Sequence, residues 1–224
     1  RIMTGAPLPV GCDAVVRVED TEATDERVTI RCQPLKPETN IIRRGAAMKV
    51  GDTVFTAGMQ LTPARIGALA ELGLATPLVR SRPRVAVLAT GDELVSVEQT
   101  PGPGQIRNSN EPMLVAQLQG HGANATPLGI ARDNRPDLAA KIATGLTHDV
   151  LVLSGGVSAG QLDLVPSELA AAGVVEVFHK VDLKPGKPIW FGVLRGDDRP
   201  PCYVFGLPGN PVSSFVCFEL FARP

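Results

Sequence analysis

Asp149 to Asp163, DVLVLSGGVSAGQLD, constrain the fold more tightly than any other stretch of this chain. Val150 to Leu153 is a short continuous apolar run, the pattern of a strand buried on both faces of a parallel sheet. Ser154, Gly155, Gly156, Ser158 and Gly160 follow in close succession. A helical pattern then begins at Asp163, with Val165, Leu169 and Ala172 on one face and Gly173 as its stop. Strand, small-residue loop and helix together present backbone N–H groups and a helix N-terminus to an anion. The same arrangement also serves as a plain tight turn between strand and helix, and this stretch alone does not choose between them.

The pattern around it repeats. Val85 to Ala89 reads as a strand, and Asn110 caps a helix carrying Met113, Leu114, Gln117 and Leu118 that Gly120 stops. Ala123 to Gly129 is strand-like, and Pro136 opens a helix with Leu138, Ile142 and Leu146 on one stripe. Val174 to Val177, Ile189 to Phe191 and Tyr203 to Phe205 are further strands. Asn210 caps a last helix, with Pro211 at its start and Val212, Phe215, Val216 and Leu220 turned to the core. This alternation predicts an α/β domain over residues 83–224, a three-layer, mostly parallel sheet covered on both faces.

Residues 1–82 read differently. Ala14 to Val18 and Arg27 to Cys32 are short strand-like runs separated by a polar turn, so residues 1–40 read as β structure. Residues 41–82 read as a second small unit, with a strand from Thr53 to Thr56. Its helix is capped by Thr62, started by Pro63 and ended by Gly73. At this size it needs missing chain or a second subunit to complete a core. The chain opens at Arg1 and stops just after a helix, and is expected to be a piece of a longer protein.

A net charge of -1 gives no basic field for nucleic acid or an anionic membrane. No apolar run reaches the ~20 residues of a membrane span. Cys12, Cys32, Cys202 and Cys217 are scattered without CxxC spacing, which argues against a thiolate zinc site and fits free thiols in a reducing cytoplasm. His121, His148 and His179 are equally dispersed.

Ligands of such sheets sit beyond the carboxyl ends of the strands. At those ends stand Thr90, Gly91, Asp92 and Glu93; Asp133; the Ser154–Asp163 loop; Lys184 and Lys187 around Pro185 and Gly186; and Gly206 to Pro211. Lys184 and Lys187 suit phosphate or another oxyanion, and the helix start at Asn210 offers a second anion site, although the lysines also read as a solvated loop and Asn210 as a plain N-cap. Asp92, Glu93, Asp133 and Asp163 are hard oxygen ligands suited to Mg²⁺ bridging phosphates, although each alone also serves as a turn or capping residue. The residues themselves point to a phosphorylated ligand with Mg²⁺.

RIMTGAPLP, TGDELV, GQIRNSN, SGGVSAGQLD, KPGKP and GLPGNPVS stand in this order from Arg1 to Ser213. Together they resemble the MoeA molybdopterin molybdenumtransferase family, related to the E domain of gephyrin. The resemblance implies a transferase of molybdenum cofactor biosynthesis that inserts molybdate into adenylylated molybdopterin, releases AMP and depends on Mg²⁺. It implies a homodimer and a MogA-like partner enzyme. Glu93, Asp133 and Asp163 match acidic positions tied to metal and catalysis; Lys184, Lys187 and Ser213 match positions that hold molybdate. Ser154, Gly155, Gly156 and Ser158 would cradle the pterin or its phosphate, beside Thr90, Gly91, Asp92, Gly209 and Asn210. Thr4 matches a threonine of the family's inter-subunit cleft.

The chain departs from that pattern in places. The family's Gly-Glu-Asp after the arginines is Gly45-Ala46-Ala47, and Arg107 and Asn108 stand for the usual Tyr and Asp. Two alternatives follow. MogA-type adenylyltransferases share the α/β fold but carry Thr-Gly-Gly-Thr-Gly at this loop and lack a counterpart of residues 1–82. A catalytically weakened, gephyrin-like scaffold would keep the fold and bind a peptide instead.

Overall fold

In the computed structural model, which describes residues 1–31, 34–157, 164–196 and 199–224, the chain divides into two units, Arg1–Pro77 and Leu78–Pro224. The first holds an antiparallel hairpin of β1 (Thr21–Ala23) and β2 (Val28–Ile30), with Thr21 opposite Ile30. The first strand therefore falls on residues that read as a polar turn, not on Ala14 to Val18. The reason is the tight closure at Thr24, whose N–H donates to the Arg27 carbonyl at 2.7 Å and whose hydroxyl accepts from the Arg27 N–H at 3.1 Å. The expected strand Thr53 to Thr56 has no ladder; the Met59 N–H donates to the Thr56 carbonyl at 3.4 Å, a turn instead. Helix α1 (Pro63–Glu71) forms as its sequence dictates: the Thr62 hydroxyl accepts from the Arg65 N–H at 3.4 Å, Pro63 supplies a pre-set φ, and the chain leaves through Gly73 at φ 76°.

The second unit is built on a six-stranded sheet. In chain order its elements are β3 (Arg84–Thr90), β4 (Leu94–Val95), β5 (Ile106–Arg107), α2 (Asn110–Gly120), β6 (Asn124–Ala131) and α3 (Arg135–Gly145). Then come β7 (Val150–Ser154), α4 (Val165–Ala171), β8 (Val175–His179), β9 (Trp190–Leu194), β10 (Cys202–Leu207), α5 (Pro211–Cys217) and a π-helical turn, Phe218–Ala222. The main sheet runs β6-β3-β7-β10-β9-β8, and β4 pairs with β5 in a separate two-stranded sheet.

β7 sits inside the sheet, parallel to β3 and β10, with Val150 opposite both Val85 and Tyr203. Its side chains alternate between two cores. Leu151 and Leu153 pack with Leu138, Ile142 and Leu169 of α3 and α4, while Val152 packs with Leu114, Leu118 and Phe218 on the other face. Each fully buried Leu or Val contributes roughly 1.5–3 kcal/mol relative to exposure, so this run anchors all three layers.

The sheet is parallel from β6 to β10 and then turns: β9 is antiparallel to both β10 and β8. Two reversals restore direction, so β8 runs the same way as β10. The loop after His179 consequently leaves at the edge where β3, β6, β7 and β10 end.

Two helices differ from their sequence patterns. In α4 the buried residues are Val165, Glu168 and Leu169, and Ala172 is exposed. Glu168 is accommodated because Arg135 of α3 donates to it at 2.6 Å. In α5 the inward face is Ser214 and Cys217, continued by Phe218, whereas Val212, Phe215 and Leu220 are largely exposed. The Ser214 hydroxyl donates to the Pro208 carbonyl at 2.8 Å and fixes that rotation. Among the described residues no helix is long and apolar enough to cross a membrane.

Candidate functional site

The carboxyl ends of β3, β6, β7 and β10 surround a pocket of about 450 Å³, within the range of small-molecule sites. Every residue lining it belongs to the second unit.

From β3 the chain enters the turn Gly91-Asp92-Glu93. Gly91 has φ 145°, and a Cβ there would lie 2.5 Å from the Glu93 carboxylate, so only glycine lets Glu93 fold back over the turn and face the pocket. Asp92 and Asp133 clasp each other. The Asp133 N–H donates to Asp92 Oδ1 at 3.1 Å, and the Asp92 N–H donates to Asp133 Oδ2 at 3.3 Å. Arg132 adds a brace, its Nη1 donating to the Asp92 and Leu94 carbonyls at 3.1 and 3.0 Å. Glu93 and Asp133 line the pocket; Asp92 holds the turn behind them.

From β7 come Ser154, Gly155, Gly156 and Val157. Gly155 (φ 92°) and Gly156 (φ 65°) are both left-handed and both crowded. A Cβ on Gly155 would meet the Thr90 carbonyl at 2.7 Å, and one on Gly156 would meet Val165 at 2.6 Å and the Thr90 hydroxyl at 2.8 Å. Thr90 is itself buried and lines the pocket. The two glycines therefore let the loop close onto β3 while presenting main chain to a ligand. The Gly155 N–H is committed to the Leu207 carbonyl at 3.1 Å, so it is not one of the anion donors expected of this loop. His179 steadies Val157: its Nε2 lies 3.0 Å from the Val157 carbonyl, a contact that requires the proton on that nitrogen. Ser158 and Asp163 lie outside the described residues.

From β10 come Pro208 and Gly209, which line the pocket. Asn210 and Ser213 do not. The Asn210 side chain accepts from the N–H groups of Val212 and Ser213 at 3.0 and 3.2 Å, so it closes the start of its own short helix. Lys184 and Lys187 are exposed on the loop between β8 and β9, which reaches the pocket through Pro188. The Lys184–Pro185 bond is cis, and Gly186 is packed so closely that a Cβ would lie 2.6 Å from Cys217 Sγ. The Cys217 thiol donates to the Gly186 carbonyl at 3.4 Å, and burial pushes its pKa up, which keeps it a neutral donor. Thr4 is exposed on a turn of the first unit, closed by the Ala6 N–H donating to the Met3 carbonyl at 3.0 Å.

Sequence reasoning missed Asn110, which it read as a helix cap. Ser109 is the residue before the helix, and the Asn110 side chain instead donates to Ser154 Oγ at 2.6 Å and to the Gly209 carbonyl at 2.8 Å. It is buried and lines the pocket. Asn108 is also structural: its amide donates to Glu111 Oε2 at 3.0 Å and its oxygen accepts the Glu111 N–H at 3.2 Å.

Two pocket carboxylates on two loops are hard donors of the kind Mg²⁺ takes alongside phosphate oxygens. Among the described residues no group of three or more His, Cys, Asp or Glu stands close enough to hold a metal by itself.

A layered α/β unit with a glycine-built pocket at its strand ends is a small-molecule binding domain. The chain belongs to the MoeA family: residues 86–224 match the family described as "Probable molybdopterin binding domain", and residues 1–73 match "MoeA N-terminal region (domain I and II)". It is 38% identical over 228 residues to the molybdopterin molybdenumtransferase of Staphylococcus aureus (strain COL), covering 100% of this chain and 52% of that protein. It is 37% identical over 225 residues to the Staphylococcus epidermidis protein of the same name, with the same coverage. The chain thus spans about half the length of the curated relatives it matches. A crystal structure of a molybdopterin biosynthesis MoeA protein from Pyrococcus horikoshii superposes with a TM-score of 0.71 at 31% identity, over 96% of this chain and 52% of that one. A second from that organism gives 0.70 at 26% identity, over 99% and 52%.

Proposed function

We propose that this chain takes part in molybdenum cofactor biosynthesis as a Mg²⁺-dependent molybdopterin molybdenumtransferase, inserting molybdate into adenylylated molybdopterin with release of AMP. The observation that carries the reading is that Glu93, Asp133, Gly155, Gly156 and Gly209, distant in sequence, line one pocket. The names of its relatives support the substrate class.

In this reading the Ser154–Val157 loop holds a phosphate or the pterin against the main chain, with Thr90 and Gly91 beneath it. Lys184, Lys187 and Ser213 draw molybdate to the rim. Glu93, Asp133 and Asp163 hold Mg²⁺, which neutralises charge on the phosphate anhydride when bound. Thr4 contributes at an inter-subunit cleft of a cytoplasmic homodimer that receives its substrate from a MogA-like enzyme. Residues 1–40 correspond to the tail of the family's β-rich second domain, 41–82 to part of its first domain, and 83–224 to its α/β molybdopterin- and molybdate-binding domain.

The test is AMP release from adenylylated molybdopterin with molybdate and Mg²⁺. Turnover that E93A or D163A abolishes, with folding intact, supports the assignment; turnover unaltered in both variants rejects it. A scaffold reading is favoured by Ala46 and Ala47 and by the use of Asn108 to bind Glu111. It predicts peptide binding with no AMP release.

A further inference from the structure

Asn110 stands where the Ser154 and Gly209 loops meet and is only 9% exposed. The Gly209 carbonyl, 2.8 Å from Nδ2, fixes which end of the amide faces it, because a carbonyl pairs only with the NH₂ group. A turned-over amide would set two acceptors against each other. The second amide proton goes to Ser154 Oγ at 2.6 Å, so that oxygen is an acceptor toward Asn110. Ser154 has one hydroxyl proton, and it must then point away from Asn110. Ser154 is 2% exposed and lines the pocket, and among the described residues its proton has no acceptor. Asn110 Oδ1 is buried without a partner, so the amide's placement leaves one of its own atoms unsatisfied. Its orientation serves the two loops rather than itself.

We propose that Asn110 is a positioning residue that keeps the Ser154 hydroxyl a donor into the pocket, toward an oxyanion oxygen. This rests on the reading of the pocket as an oxyanion site and adds the group that sets its preference for acceptors over donors. The oxygen belongs to a phosphate ester or to a free tetrahedral oxyanion, and the two are distinguished by probe.

The test is titration calorimetry of the whole chain with AMP and, separately, with molybdate, for wild type, S154A, N110D and the double variant. An Asp at 110 keeps the shape but offers acceptors on both sides, so it draws the Ser154 proton to itself. S154A is expected to weaken at least one probe by about ten- to a hundred-fold, the usual loss for a hydrogen bond to a charged group. N110D should weaken the same probe, and by a smaller factor in the S154A background than alone. Loss confined to AMP assigns the hydroxyl to the nucleotide phosphate; loss confined to molybdate assigns it to the free oxyanion. An N110D effect of equal size in both backgrounds reports charge repulsion alone and overturns the proposal. So does unchanged affinity in S154A, which decides the matter even if N110D does not fold. A wild-type chain that binds neither probe overturns the oxyanion reading itself, and this proposal with it.

Discussion

The two units of this chain spend their apolar residues differently. In Leu78–Pro224, four parallel strands have helices on both faces, and Leu88, Leu114, Leu138, Ile142, Leu151 and Leu153 are fully buried. In Arg1–Pro77, Leu69 is the one buried hydrophobic among the described residues, while Val10, Val50 and Ile42 are exposed. Composition alone does not separate the two. What differs is whether each apolar stripe meets a second layer within its own unit. The lesson for function is direct: Gly155 and Gly156 are hemmed in by Thr90 and Val165, whereas Gly5, Gly11, Gly51 and Gly58 of the first unit have nothing within 4 Å of an added Cβ.

Core truncations should break the symmetry most. Leu153→Ala is expected to lower stability by about 2–5 kcal/mol, whereas Ile42→Ala should stay within ~0.5 kcal/mol. Urea denaturation followed by fluorescence of the buried Trp190 reads the first value; equal losses in both would dissolve the comparison. Glycine substitutions sharpen it next. Gly51 (φ 95°) has nothing within 4 Å of an added Cβ, so Gly51→Ala carries only the left-handed strain of about 1–2 kcal/mol. Gly156→Ala adds overpacking of about 1–3 kcal/mol and should also abolish ligand binding.

Cysteines extend the contrast to pH. Burial raises the Cys202 thiol to about 11, while Cys12 lies exposed in the first unit. A raised folded pKa means stability is intact below the unfolded thiol value and falls as pH climbs toward 11. The urea midpoint of the second unit should drop over that range, and Cys202→Ala should flatten the drop. At neutral pH a thiol reagent should modify Cys12 rapidly and Cys202 only on unfolding.

The smallest effects belong to the exposed ion pairs of Asp149 and Glu38. Hydrogen bonds from the Arg84 side chain and N–H hold the Asp149 carboxylate below the usual range, so its contribution is present above ~4 and is lost as pH falls through the lower folded value. The pair is solvent-exposed, and Asp149→Asn should lower stability by less than about 1 kcal/mol, in a salt-dependent way. Glu38→Gln, which breaks the exposed pair with Arg43 in the first unit, should leave the melting curve unchanged.

Where local chemistry is self-sufficient, the fold was legible from residues alone. Thr62 with Pro63 and Asn210 with Pro211 each supply their own cap, and each helix begins there. The Val150–Leu153 run and the loops that gather beyond it follow from the same economy. What escaped depends on partners distant in the chain. Asn110 carries an ordinary helix-start residue type, and only the arrival of Ser154 and Gly209 turns its amide to the pocket. The rotation of α5 is set by a hydroxyl bond to Pro208, which no hydrophobic period encodes. The reversal at β9 leaves no mark because antiparallel and parallel buried strands share one apolar pattern.

Anomalous diffraction from crystals of this chain soaked in molybdate and AMP tests the convergence of the loops most directly. The account predicts a molybdenum peak inside the pocket bounded by Glu93, Gly156 and Gly209, with the nucleotide phosphate beside it. Molybdenum bound solely at other surfaces, with that pocket holding neither group, would contradict it.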